Sequence, residues 1–146
     1  MARSLAGMAL AFLLVAVTAR APLHAKDASI TVENAWARPT PAGARTAAVY
    51  LTAVNHGSTP TRIVSAETPV ADRAEMHIDL KVGDTMQMRR VLGVDVPANG
   101  STVFKPGGFH VMLIGLKAPL TAGEKIPLTL ELDRGGPITV TVDVKP

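Results

Sequence analysis

The chain has 146 residues, 47% of them hydrophobic and 3% aromatic, and a formal net charge of +3 at pH 7. This length is enough for one domain with a buried core. The sequence contains no cysteine, which excludes thiol redox enzymes, iron–sulfur proteins, zinc–cysteine sites and blue-copper electron-transfer sites, because each of these needs a thiolate. It also argues against a lipid-anchored N-terminal cysteine.

Residues 1–25 have the three parts of a secretory signal peptide. Arg3 supplies the positive charge, residues 5–17 are continuously small and apolar, and Ala25 supplies the small residue at the predicted cleavage site. We expect cleavage after Ala25, with cleavage after Ala19 as the alternative. The protein is therefore expected in the periplasm.

The mature chain, residues 26–146, is close to neutral. Loss of Arg3 and Arg20 leaves 13 Lys and Arg residues against 12 Asp and Glu residues. No basic run with interleaved aromatic residues is present, so we expect no nucleic-acid partner. The apolar stretch is too short and too weakly flanked for a good membrane span, so we expect no stable membrane insertion after cleavage.

Short segments rich in apolar and β-branched residues alternate with turn sequences along the mature chain. No window of helical length shows a sustained 3.6-residue period. This pattern predicts one all-β domain, an antiparallel sandwich or barrel. The predicted strands are residues 30–38, 46–55, 61–67, 74–80, 85–91, 101–104, 109–116, 126–132 and 138–144.

Methionine and histidine are concentrated in one part of the mature chain. All four of its methionines and two of its three histidines lie between residues 76 and 112: Met76, His77, Met86, Met88, His110 and Met112. Thioethers and imidazoles are both metal ligands, so this clustering is the main functional signal in the sequence.

The segment AEMHIDLKVGDTMQMRRV predicts a hairpin with a turn centred on Val82 and Gly83. An even-length loop at that centre places His77 directly across from Met88, with Cβ atoms about 4.5–5.5 Å apart. Met86 would share the face of Met88 as a spare donor. Met76 would point to the opposite face.

The segment GGFHVML predicts a second pair of donors. His110 and Met112 would lie on one strand face about 7 Å apart. Together the two pairs would form a four-coordinate site of two imidazoles and two thioethers. Such soft, neutral ligands favour Cu(I), whereas zinc prefers thiolate, imidazole and carboxylate, and calcium and magnesium prefer oxygen.

The residue pattern alone also permits a structural explanation. Methionine often fills gaps in a core, and a single histidine on an apolar strand is commonly structural. Cross-strand register and the His-x-Met spacing favour a metal site, but both interpretations remain open at this level.

The spacing H-x10-M-x21-H-x-M resembles the periplasmic copper chaperone family PCuAC. The segments NAWARPTPAG and KPGGFHVMLIGLKAPLTAGEKIPLTLEL are also similar to that family, and the resemblance extends over essentially the whole mature chain. It implies a cupredoxin-like Greek-key β-barrel or sandwich. It also implies that one Cu(I) per chain is bound by His77, Met88, His110 and Met112.

The resemblance further implies a function without catalysis. Family members are associated with copper delivery toward the CuA centre of cytochrome c oxidase, so we expect the CuA subunit or another copper chaperone as partner. We expect a monomer, with the site on loops and strand ends at the barrel rim. Flexible thioether ligands there could be replaced one at a time by a partner's thiolates.

Four alternatives remain at this stage. A periplasmic copper buffer would use the same residues without a dedicated acceptor. A copper redox enzyme would need an open coordination position and a substrate pocket. Cleavage just before His24 would create an N-terminal copper brace, although Leu23 is a poor residue at a cleavage position. A purely structural β domain would bind no copper.

Overall fold

A computed structural model describes residues 29–146, and the predicted signal peptide lies outside them. The described chain contains ten strands and no helix. The strands are β1 Ile30–Ala37, β2 Thr46–Asn55, β3 Thr61–Glu67, β4 Ala71–Val82, β5 Thr85–Arg90, β6 Val94–Val96, β7 Gly100–Phe104, β8 Phe109–Leu116, β9 Lys125–Leu132 and β10 Ile138–Val144.

The predicted all-β class is confirmed, and most predicted strand bounds agree with the structure to within one residue. Two differences stand out. Strand β4 is longer than predicted, by residues 71–73 at its start, where it pairs with β8, and by residues 81–82 at its end, in the hairpin arm with β5. Strand β6 was not predicted, since its three residues are too few to show an alternating pattern.

The strands close into a mixed barrel. The ring runs β4-β8-β7-β2-β1-β10-β9-β3, with β8 also pairing directly to β2, and the contact of Ala66 with Ala74 closes it between β3 and β4. Pairs β1–β10 and β7–β8 are parallel, and the other pairs are antiparallel. Strands β5 and β6 lie outside the ring, on β4 and β3 respectively.

Alternation along the strands separates a filled interior from an outer wall. On β2, Val49 and Leu51 point inward and are buried, while Ala48 and Tyr50 point outward. Burial of each large inward side chain contributes about 1.5–3 kcal/mol to folding. Within residues 29–146, no helix is long and apolar enough to cross a membrane.

A β-bulge in β1 determines which way Trp36 points. The register against β2 shifts between Glu33 and Trp36, and Asn34 within this stretch has a left-handed φ of 51°. Ile30 and Val32 pack toward the core before the bulge, and Ala37 is buried after it. The extra residue therefore places Trp36 on the outer wall beside Tyr50.

The predicted register of the β4–β5 hairpin is wrong by two residues. The loop is Gly83–Asp84, so Met88 lies opposite Asp79, and His77 lies opposite Arg90. Gly83 has a φ of 61°, which permits the tight turn at the first loop position. A shift of two residues preserves the face of every side chain, so Met88 still lies on the side of His77 and is its diagonal neighbour.

Candidate metal site

Two histidines from distant parts of the chain lie side by side on the outer wall. Strands β4 and β8 are adjacent and antiparallel, and their register places His77 directly opposite His110. The ring centroids are 5.8 Å apart, and the ring planes are inclined by 52°. The sequence analysis did not predict this direct pairing of the two histidines.

One ring nitrogen of His110 makes a hydrogen bond, and the other has no hydrogen-bond partner. Its side chain is buried, and its Nδ1 donates to the carbonyl of Gly108 at 3.2 Å. Because a carbonyl can only accept, Nδ1 carries the hydrogen of the neutral ring. The lone pair is then on Nε2, which is buried and has no hydrogen-bond partner.

His77 repeats this arrangement with the ring nitrogens exchanged. Its Nε2 donates to the carboxylate of Glu75 at 3.1 Å, and its Nδ1 is buried without a partner. The hydrogen bond from His77, with the charges of Arg90 and Arg73 close by, lowers the pKa of Glu75. The carboxylate is therefore ionised at neutral pH and holds His77 in the tautomer that leaves Nδ1 free.

Two unpartnered nitrogens on neighbouring rings are costly in a protein without a ligand. A buried polar atom without a partner destabilises the fold by about 1–3 kcal/mol. Both atoms are lone-pair donors, which a metal ion could satisfy at once. A hydrogen bond to the other nitrogen is also the usual arrangement of a metal-binding histidine.

The two predicted methionine ligands lie on the same outer face. Met112 follows His110 by two residues on β8, lies between Ala48 and Glu75 in the register, and is half-buried. Met88 lies on β5 diagonal to His77 and is 50% exposed. The structure thus places two imidazoles and two thioethers on one face, with the histidines in the wall and Met88 at its surface.

The two histidines lie near one end of the β4–β8 ladder. Their pair is followed only by that of Ile78 with Phe109, and His110 is the second residue of β8. Beyond this point β4 continues into the hairpin with β5, which carries Met88. Because His110 is buried and Met88 is exposed, exchange of ligands would begin at the exposed methionine side.

The other two methionines of the mature chain, Met76 and Met86, lie on the faces that the sequence predicted. Met76 is 3% exposed and packs in the core, on the opposite face of β4. Met86 shares the outer face with Met88 and is 59% exposed. His56 is an exposed loop residue whose Nε2 lies 2.9 Å from Thr31 Oγ1.

Two neighbours of the site were missed from the sequence. Glu75 stands two residues before His77, a spacing that places both on one strand face and could have identified it. Tyr50 lies with its ring 6.4 Å from that of His110 and 4.9 Å from that of Trp36. Only the long-range pairing of β2 with β8 brings Tyr50 there.

The types of ligand at this site favour one class of metal ion. In the described part of the chain, no group of three or more His, Asp or Glu side chains could hold a metal ion. Met88 and Met112 are the thioether donors that the structure places on the same face as His77 and His110. Two neutral imidazoles with two thioethers suit a soft monovalent ion.

Comparison with known proteins gives consistent results. Residues 30–144 match the family model described as "Putative lipoprotein LpqE-like". A putative lipoprotein from Leifsonia xyli subsp. xyli is 36% identical over 118 residues, which cover 80% of this chain and 69% of the relative. An uncharacterized protein from Rickettsia prowazekii is 26% identical over 125 residues, covering 81% of this chain and 67% of that protein.

Solved structures with the same fold are PCuAC domains and a copper-bound relative. The solution structure of Cu(I)-DR1885 from Deinococcus radiodurans is 33% identical, covers 83% of this chain and 81% of that one, and has a TM-score of 0.66. The copper-bound PCuAC domain from PmoF2 is 23% identical, with coverages of 80% and 92% and a TM-score of 0.68. The expected resemblance to PCuAC and the cupredoxin-like barrel are confirmed.

Proposed function

Because the chain belongs to the LpqE-like family, we propose that it is a copper chaperone that binds one Cu(I) through His77, Met88, His110 and Met112. The observation that carries this proposal is the pair of buried, unpartnered nitrogens, Nδ1 of His77 and Nε2 of His110. The Cu(I)-bound state of a 33% identical relative supports the same ion. All four ligands are neutral, so the loaded site keeps a single positive charge beside Glu75.

The exposure of the ligands suggests how the ion is released. His110 is 2% exposed, whereas Met88 is 50% exposed. An acceptor can therefore replace Met88 first, while the histidines still hold the ion. Each step exchanges one Cu(I)–ligand bond for another, so the copper is neither oxidised nor reduced.

The acceptor and the compartment belong to the same proposal. We propose delivery toward the CuA centre of cytochrome c oxidase or to another copper chaperone, because thiolates bind Cu(I) more tightly than thioethers. The predicted signal peptide supports action in the periplasm, and a relative and a family model that are both described as putative lipoproteins support action at the cell envelope. The protein would act there as a monomeric carrier and would catalyse no reaction.

An anaerobic Cu(I) titration with a competing chelator tests the binding site. We expect one equivalent per chain, sulfur and nitrogen scattering in the X-ray absorption spectrum, and weak Zn(II) binding. His77→Ala with His110→Ala should abolish binding, while His56→Ala serves as the control. Unchanged copper binding in the double variant would reject the proposal.

A transfer assay tests the carrier role separately. Loaded protein is mixed with an apo CuA domain under anaerobic conditions, the two proteins are separated, and the copper content of each is measured. Met88→Ala and Met112→Ala should impair delivery. Tight binding without any transfer would instead favour the copper-buffering function.

A further inference from the structure

The two faces of strand β5 carry different kinds of side chain. Met86 and Met88 lie on the outer face with His77, while the other face of the strand carries only polar residues, Thr85, Gln87 and Arg89. The two methionines are 59% and 50% exposed, although methionine is among the residues most often buried. Packing therefore gives no reason for thioethers at both positions.

The solvent exposure of the potential metal ligands on this face increases from His110 to Met86. The exposed fraction is 2% for His110, 14% for the side chain of His77, 50% for Met88 and 59% for Met86. Met86 lies opposite Lys81, one outer-face position closer to the hairpin tip than Met88. Successive outer-face positions on a strand are about 7 Å apart, a distance that two flexible methionine side chains can bridge.

In the cross-strand pair of Met86 with Lys81, the sulfur of Met86 is the potential metal ligand. Lys81, directly opposite, is exposed, and its ammonium group has no lone pair for a metal. A thioether carries no proton that must be lost before it binds Cu(I), so Met86 is ready to bind at any pH near neutrality. An ion that arrives from the hairpin side therefore meets Met86 before Met88.

We propose that Met86 is an exchange ligand, which holds Cu(I) briefly as the ion enters or leaves the four-residue site. On loading, a Cu(I)–sulfur bond to Met86 forms as a bond to the donor molecule breaks, and Met88 then replaces Met86. Unloading follows the reverse order, with no change in the oxidation state of copper. This inference rests on the proposed function, and it adds a residue outside the four predicted ligands.

The test compares Met86→Leu with Met76→Leu, the same substitution at a core-facing position of β4 within the barrel. Leucine keeps the size and removes the sulfur, so both variants should fold, which circular dichroism would verify. Stopped-flow mixing with a chromophoric Cu(I) chelator, under anaerobic conditions, measures loading and unloading rates. Equilibrium competition with the same chelator measures affinity.

For Met86→Leu we expect both rates to fall by about fivefold or more, while the affinity stays within about twofold of the unmodified protein. Met76→Leu should leave both quantities unchanged. In a Met88→Leu background, removal of Met86 should lower affinity further, because Met86 then substitutes for the missing ligand.

Two results would overturn the inference. Unchanged rates in Met86→Leu would show that copper bypasses this residue. A loss of affinity as large as that of Met88→Leu would make Met86 a permanent ligand. Failure of the unmodified protein to bind Cu(I) would reject the proposed function itself, so the two ideas fail in distinguishable ways.

Discussion

His77 and His110 are cross-strand partners, and each has one ring nitrogen held by a hydrogen bond and the other buried without a partner. The holding groups differ, a carboxylate for His77 and a backbone carbonyl for His110, but the consequence is the same. Each ring is fixed in the tautomer that presents a lone pair. The apo protein is thus organised for a ligand at some cost to its own stability.

Replacement of His110 by leucine should weaken Cu(I) binding without lowering the stability of the apo protein. The free energy of unfolding of the apo protein should stay the same or rise by about 1 kcal/mol, because a buried unpartnered nitrogen is removed. The carbonyl of Gly108 keeps a partner, since it also accepts from the backbone N–H of Asp79. Denaturant unfolding of His110→Leu would measure this, and its Cu(I) affinity should fall by about 100-fold or more. A strongly destabilised apo variant would contradict this account of His110.

Substitution of Glu75 should weaken copper binding without removing any ligand. Glu75→Leu deprives His77 Nε2 of its acceptor, and loss of such a supporting group typically costs about 10–100-fold in metal affinity. Glu75→Gln retains an acceptor oxygen and should lose less. Competition titration gives the affinities, and nitrogen-15 NMR of His77 reports its tautomer.

Glu67→Leu, at the exposed end of β3, is the control for these variants. It should leave both the affinity and the tautomer of His77 unchanged. Equal affinities for Glu75→Leu and the unmodified protein would show that the carboxylate does not position His77.

The hairpin turn should matter to copper binding more than to the barrel. Gly83 and Gly43 both have a positive φ, 61° and 80°, and open space around the position of an added Cβ. Alanine at either position should cost about 1–2 kcal/mol through backbone strain. Only Gly83→Ala disturbs the arm that holds Met88, so only it should lower Cu(I) affinity. Equal affinities in the two variants would mean that Met88 does not depend on the turn.

Acid should weaken the junction between β3 and β9. Hydrogen bonds from the backbone N–H of Arg62 and then from the hydroxyl of Thr61 lower the pKa of Asp133 below its ordinary value of 3.8. The ionised group therefore stabilises the fold above about pH 4, and this contribution is lost as the pH falls through the lowered pKa.

Asp133→Asn keeps an acceptor oxygen but removes the charge. The Tm of the apo variant should lie below that of the unmodified protein at pH 6, and the difference should shrink toward pH 3. Asp84→Asn, at the hairpin tip, is the matched carboxylate-to-amide control and should change Tm little at either pH. A difference for Asp133→Asn that does not depend on pH would exclude the charge as its cause.

The sequence alone was sufficient to predict on which face of the sheet each donor lies, because side chains alternate between the two faces with a period of two residues. It placed Met76 on the face opposite to His77 and grouped His77 with Met88, even though the predicted hairpin register was wrong. Register depends on which residues enter the loop, and Asp84 joined Gly83 there. An error of two residues moved Met88 along the strand without changing its face.

The sequence alone did not predict which distant strands pair with each other. Strands β4 and β8 are separated by three other strands along the chain, yet their contact places His77 against His110. Tyr50 becomes a neighbour of the site through the equally distant pairing of β2 with β8. A local pattern could identify the donors, but only the closed barrel determines which of them are adjacent.

The bulge at Asn34 has a practical consequence for any study of metal loading. If the same residues continued the alternation of Ile30 and Val32 without a bulge, the only tryptophan of the chain would point into the core. Instead, Trp36 packs against Tyr50, which borders His110. The barrel therefore carries an intrinsic fluorophore next to the candidate site, and its emission can report occupancy without an added label.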